Sequence, residues 1–189
     1  MRVCGSAALD RSREGQMRLL FDMDLKDYGE CTHTFVRNSA RSIIIRDGKL
    51  AMVHSKEYDY YKFPGGGIEG TEDPVEAMIR ETREEAGLVV LPESVREYGY
   101  VHRIQRSDGD KTECFVQDNF YYLCDTDEKP VSQQLDEYEE KESYELEYVD
   151  PATVIAKNRS VGNSPYNRMM FEREARVVEL LIAEGMLSD

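Results

Sequence analysis

Tryptophan is absent from this sequence, and no run of apolar residues approaches the roughly 20 needed to cross a bilayer as a helix. That second absence argues against a membrane-spanning protein. Residues Met1 to Gln16 contain Arg2, Arg11 and Arg13 but no apolar stretch behind them, so they lack the form of a secretory signal. They read as a flexible leader, 1–16, ahead of a single domain, 17–189. Cysteine is sparse as well. Cys4, Cys31, Cys114 and Cys124 form neither a CxxC pair nor the Cys/His spacing of a zinc site, which points to reduced thiols in a cytoplasmic protein. Basic residues are outnumbered, 24 Lys and Arg against 38 Asp and Glu, for a formal charge of −14. A surface this acidic repels a phosphate backbone and argues against a nucleic acid polymer as partner. A small phosphorylated molecule stays compatible, because a bound divalent cation reverses the field locally.

What the sequence does contain is a globular pattern, with 40% hydrophobic and 33% charged residues and no internal repeat. Residues 17–24 suit a first strand. Ser42–Arg46 and Lys49–His54 flank Asp47-Gly48, a strong two-residue hairpin signal. Phe63 and Pro64 lead into Gly65, Gly66 and Gly67, where a tight turn is expected. After a helix come strands near 95–105, 113–124 and 144–149, then a short helix over 151–157. A longer helix over 167–184 has Ser164 and Pro165 as start signals and Gly185 as a stop. Its Met170, Val177, Val178, Leu181 and Ile182 recur at helical spacing and so pack on the body. The acid-rich segment 125–143 reads as a solvated loop. The order hairpin, helix, strands, helix predicts an α+β chain, a mixed sheet with helices on its faces.

The helix after the glycines follows from local rules alone. Asp73 suits the N-cap, Pro74 the first helical position, Glu76 completes an Asp-x-x-Glu capping box, and Gly87 suits a left-handed stop. Val75, Ile79, Thr82 and Ala86 fall on one arc, and Glu81, Glu84 and Glu85 on another. Three carboxylates within about one turn repel one another unless fully solvated or bound to a cation. Their hard oxygens select Mg²⁺, Mn²⁺ or Ca²⁺. Arg80 stands beside Glu81, and Glu72 eight residues before it, placed to orient a ligand.

Glutamates on one helix are usually only a solvated face. Here they belong to a longer pattern, G-x5-E-x7-R-E-U-x-E-E-x-G-U with U apolar, formed by Gly66, Glu72, Arg80, Glu81, Thr82, Glu84, Glu85, Gly87 and Leu88. This stretch resembles the Nudix box, the signature of the Nudix hydrolase superfamily. Thr82 stands where the family usually has an aliphatic residue, although its methyl group can still pack. The resemblance implies an α/β/α sandwich with a catalytic loop-helix-loop and a C-terminal helix. It further implies Mg²⁺-dependent hydrolysis of a phosphoanhydride in a nucleoside di- or triphosphate derivative, with Mn²⁺ as a substitute. Glu81, Glu84, Glu85 and the Gly65 carbonyl would be metal ligands. Glu81 or a neighbouring carboxylate would handle the water, while Arg80 and Glu72 hold the ligands in place. The family often adds a carboxylate from a later loop; Glu113, Glu140 and Glu142 are candidates, and the sequence does not choose among them. Homodimers are common among relatives.

The substrate is less legible. Arg41, His54, Lys62 and Arg103 are the cations expected to meet phosphates, with Arg37, Lys56, His102 and Arg106 nearby in sequence. Tyr58, Tyr60, Tyr61, Tyr121 and Tyr122 offer rings for a base, though core packing is their commoner use. The markers of ADP-ribose and NADH pyrophosphatases are missing, which leaves the broad MutT-like nucleoside triphosphate group. Two other readings are a Nudix-fold module that binds a nucleotide without cleaving it, and isomerase chemistry, which would call for a site cysteine and further ligands.

Overall fold

The computed structural model describes residues 17–162 and 164–188; the expected leader, 1–16, and Cys4 lie outside them. Two sheets form where one was expected. The larger, mixed sheet contains β1 (Leu19–Asp24), β2 (His33–Val36), β3 (Ser39–Ile43), β7 (Gly65–Gly67), β8 (Arg96–Arg106) and β9 (Glu113–Leu123), in the order β1-β8-β9-β3-β7, with β2 also paired to β9. The smaller is antiparallel and contains β4 (Ile45–Arg46), β5 (Lys49–Ser55), β6 (Tyr60–Lys62) and β10 (Tyr144–Val149). The strand expected over 42–46 splits at Ile44, and its halves join different sheets. The Asp47–Gly48 turn then returns the chain along β5, pairing Arg46 with Lys49.

Both faces are covered. Helix α1 (Pro74–Ala86) packs Ala77, Met78 and Ala86 against Ala40, Val53 and Tyr122. Helices α3 (Pro151–Ser160) and α4 (Arg168–Ala183) pack Val154, Val177, Val178 and Leu181 against Ile43, Leu50, Met52 and Tyr121. Neighbours in sequence therefore serve opposite cores, Met52 and Val53 on β5, Tyr121 and Tyr122 on β9, because strand side chains alternate. Each fully buried aliphatic side chain contributes roughly 1.5–3 kcal/mol. This is the α/β/α arrangement the sequence implied.

Local expectations met some corrections. The cap of α4 is Asn167, whose side chain accepts from the Met169 N–H (2.9 Å), while the Ser164 hydroxyl accepts from Tyr166 instead. The acid-rich segment is not simply solvated: it carries α2 (Glu137–Lys141), with Glu139 and Glu142 buried. Glu142 accepts from the hydroxyls of Ser55 (2.9 Å), Tyr60 (3.0 Å) and Tyr166, which satisfies its oxygens without a cation.

At the centre of α4, Glu174 is fully buried. Its Oε1 accepts from Arg173 Nε (2.9 Å) and lies 3.9 Å from Arg41 Nε, and its Oε2 accepts from the Phe63 backbone N–H (3.0 Å). Burial raises the pKa of such a group, but here the two arginines outweigh it and hold Glu174 below the usual range. Removing one member of a buried pair strands the other. Glu174→Ala is therefore expected to lower stability by about 3–5 kcal/mol, read as a lower urea midpoint with the m-value kept; a change below about 1 kcal/mol would contradict the role given to this carboxylate.

Candidate active site

Helix α1 begins as its sequence dictates. Asp73 accepts from the N–H groups of Val75 (2.8 Å) and Glu76 (3.4 Å), and Gly87 ends the helix with φ at 65°. The buried set is Ala77, Met78, Thr82, Glu85 and Ala86, with Val75 and Ile79 only half-buried. Thr82 is buried because its hydroxyl has a partner: it donates to Ser42 Oγ (2.9 Å), which donates to the Pro64 carbonyl (3.3 Å). The residue that departs from the family pattern thus ties α1 to β3 and to the glycine segment.

The three glycines form a strand, not the expected turn. Gly65, Gly66 and Gly67 pair with Arg41, Ala40 and Ser39. A Cβ on Gly65, whose φ is 137°, would lie 2.2 Å from the Ala40 carbonyl oxygen. A Cβ on Gly66 would lie 2.3 Å from Glu81 Oε2, so the space that any other residue would fill holds the Glu81 carboxylate.

Arg80 gathers the acids of this helix. Its Nε and Nη2 grip Glu72 (2.9 and 3.0 Å), its Nη1 donates to both Glu81 (2.7 Å) and Glu84 (3.1 Å), and Nη2 reaches the Gly67 carbonyl (3.3 Å). The Arg80 bonds hold Glu72 below the usual carboxylate range, whereas burial pushes Glu81 up against the opposing pull of Arg80. Glu85 faces elsewhere. It is 1% exposed, bonded to Lys62 Nζ and to the Gly65 N–H (3.0 Å), and burial pushes it up to about 7.

These residues line a cleft of about 900 Å³. On one side stand Arg80, Glu81, Glu84 and Glu85, with Asp136 and Glu139 from the α2 segment; on the other stand Arg103, Arg173, Phe35, Phe115 and Gln117. Arg37 lies against the glycine strand, its Nε 3.4 Å from the place a Cβ on Gly67 would take. Of the expected phosphate contacts, Arg41, Lys62 and Arg103 line the cleft. Arg41 is bound to the Phe63 and Gly65 carbonyls (3.0 and 3.2 Å), so the Gly65 oxygen expected to ligate a metal faces a guanidinium. His54 is not among the cleft-lining residues. It belongs to the smaller sheet, stacks on Tyr61 and is held by Glu147 (2.9 Å) and Asp59 (3.0 Å).

The later-loop candidates also separate. Glu113 lies by His33, Glu140 is exposed, and Glu142 is enclosed by hydroxyls. Glu139, which the sequence did not single out, is the buried carboxylate that the later segment brings to the cleft, bonded to the Tyr138 hydroxyl (2.8 Å) and the Asp136 N–H (2.9 Å). Its only local signal was the Asp136-x-x-Glu139 capping box. Phe35 and Phe115 were missed as well, while of the tyrosines weighed only Tyr60 lines the cleft.

Among the described residues, no three acidic, His or Cys side chains converge as a ready metal cage. The donor chemistry nevertheless suits a hard cation. Glu81 and Glu84 already share one cationic nitrogen beside a strand of backbone carbonyls, the electrostatic setting a divalent ion needs.

Residues 36–169 match the NUDIX domain family. Curated relatives match over shorter stretches. An RNA pyrophosphohydrolase of Xylella fastidiosa is 46% identical over 57 residues, 30% of this chain and 29% of that protein. One from Xanthomonas oryzae is 46% identical over 54 residues, 29% and 25% of the two chains. The chain thus spans less than a third of the length of these relatives. Among solved structures, a NUDIX hydrolase from Nitrosomonas europaea covers 76% of this chain and 90% of its own at 17% identity, with a TM-score of 0.53. A MutT NUDIX hydrolase from Burkholderia pseudomallei covers 76% and 95% at 18% identity, with a TM-score of 0.51. These structures share the fold. The family match runs from the end of β2 into the first turn of α4 and takes in the glycine strand, α1 and the acidic wall of the cleft; this chain belongs to the NUDIX family.

Proposed function

We propose that this protein hydrolyses a phosphoanhydride bond in a nucleoside di- or triphosphate derivative, using Mg²⁺, which Mn²⁺ can replace. The observation that carries this reading is the gathering of Glu72, Glu81 and Glu84 by one arginine against the glycine strand, at the edge of a cleft whose far wall is basic and aromatic. Glu81 and Glu84 would hold the cation, with Glu85 and the Gly65 carbonyl beside them. When bound, the cation polarises phosphoryl oxygens and makes a water a better nucleophile. Glu81, held by Arg80 and lying in the space that a side chain at Gly66 would fill, would be the base that accepts a proton from the attacking water. Glu72 acts through Arg80, and Glu139 supplies a further carboxylate from outside the box. The basic wall offsets the charge of the substrate, which an acidic surface elsewhere would repel. The same reading carries the expectation of a cytoplasmic protein, where nucleotides are found and thiols stay reduced.

The reading is tested with a panel of nucleoside triphosphates, oxidised deoxynucleotides, dinucleoside polyphosphates, ADP-ribose, NADH and a 5′-triphosphorylated RNA oligonucleotide, assayed with Mg²⁺ and with EDTA. Turnover of at least one small nucleotide, abolished by EDTA and restored by Mg²⁺ or Mn²⁺, is expected. The charge of −14 puts the RNA below the small nucleotides. No turnover on any of them, with nucleotide binding that persists in EDTA, would instead make this a silent binding module.

Glu81→Gln removes the proposed base and is expected to lower kcat by at least about 100-fold with the unfolding midpoint nearly kept. Retention of full activity would remove Glu81 from the mechanism. Gly66→Ala is expected to act similarly by displacing the Glu81 carboxylate, since a ligand mis-aimed by about 1 Å costs roughly 100-fold. An active Gly66→Ala enzyme would show that this contact is not required.

A further inference from the structure

The side chains of the larger sheet that face α4 alternate along four strands: Phe35 on β2, Arg37 in the link to β3, Ser39 and Arg41 on β3, Phe115, Gln117, Asn119 and Tyr121 on β9, and Arg103 and Gln105 on β8. Four cations among the described residues are buried: Arg41, Lys62, Arg103 and Arg173. Three of them meet a buried carboxylate, Arg41 and Arg173 at Glu174 and Lys62 at Glu85. Arg103 does not. It is 7% exposed, and no described carboxylate lies within ion-pairing distance of it. Its Nε and Nη2 both donate to Gln105 Oε1 (3.0 and 2.8 Å), and its guanidinium lies 5.4 Å from the centre of the Phe115 ring. Burial pushes it down to about 10, Arg173 adds to that, and only the exposed Asp108 opposes it. A buried cation without a counter-charge is costly unless something outside the protein supplies one, and this cation lines the cleft.

Position decides what that something is. Gly66, against which the Glu81 carboxylate lies, pairs with Ala40, Ala40 with Phe120, and Phe120 with Tyr100. Arg103 lies three residues beyond Tyr100 on β8, roughly 10 Å along the strand at about 3.3 Å per residue, and across strands spaced about 4.8 Å apart. A pyrophosphate held between the glycine strand and Glu81 is too short to reach it. Phe35 and Phe115 stand beside it, their ring centres 6.1 Å apart, and Phe35 is 46% exposed.

We propose that Arg103 binds a second phosphate group of the substrate, separate from the phosphoanhydride cleaved at α1, so that the preferred substrate is a nucleotide carrying an additional phosphate ester, with a flat ring against Phe35 and Phe115. This rests on the hydrolase reading for which bond is cleaved, but its test involves no cleavage. Isothermal titration in EDTA compares AMP with adenosine 3′,5′-bisphosphate, which differ by one phosphate ester. The bisphosphate is expected to bind about 10- to 100-fold more tightly, the worth of a charge-assisted contact. Arg103→Gln should bring the two affinities close together, and Arg103→Lys should keep part of the difference. Equal affinities in the wild type, no measurable binding of the bisphosphate, or a preference that survives in folded Arg103→Gln would each overturn the proposal. Should Arg103→Gln fail to fold, the wild-type comparison decides alone. Failure here leaves metal-dependent turnover untouched, and absence of turnover leaves this binding result standing.

Discussion

The backbone from Phe63 to Gly65 is gripped by two buried carboxylates that reach it from helices on opposite faces of the fold. Glu174 of α4 takes the Phe63 N–H, and Glu85 of α1 takes the Gly65 N–H. Arg41 completes the grip by binding the carbonyls of the same two residues. A carboxylate accepting a backbone N–H in a dry interior is a strong and directional contact, and each of these acids is also faced by a buried cation. The glycine strand, the direction of α1 and the seating of α4 are therefore set together. Glu81 meets Gly66 as it does because the strand one residue earlier has no freedom to move away.

The same arrangement explains how a chain with a charge of −14 can turn a basic wall to its cleft. The acids of α1 are gathered on one side by Arg80, with Arg37 close to the glycine strand, while Arg103 lines the cleft from the sheet. Opposite walls of opposite sign suit a substrate that is anionic along its length and meets a cation at one end. Field lines are concentrated in such a cleft, so the local potential there is not the potential implied by the net charge.

Much of the framework was legible because it rests on short-range rules. The Asp47–Gly48 hairpin, the Asp73 cap, the Gly87 stop and the strands near 95–105 and 113–124 each depend on a few adjacent residues, and the structure has all of them. The Arg80 cluster was legible for the same reason, since Glu72, Arg80, Glu81 and Glu84 lie within one loop and helix. The place of His54, apart from the residues that line the cleft, was not legible for the opposite reason. Its neighbours Glu147 and Asp59 are brought to it by strand pairing across 93 residues and by a tight turn, and only those partners turn it from the cleft.

What the sequence by itself determined is the family, the helix with its carboxylates, and the glycine segment before it, all of which are local patterns of residue type and spacing. That the glycines pair as a strand against which Glu81 lies came from the tertiary structure. Tertiary structure alone decided that Glu85 is buried on Lys62, that Thr82 is held by Ser42, that Glu139 enters the cleft and Glu142 does not, and that Arg103 is buried on Gln105 with no ion pair among the described residues. The physical reason is that the state of a charged or hydroxyl side chain depends on its desolvation and on which partner lies within about 3 Å. Both are properties of residues far apart in sequence, joined only when the two sheets and their covering helices close.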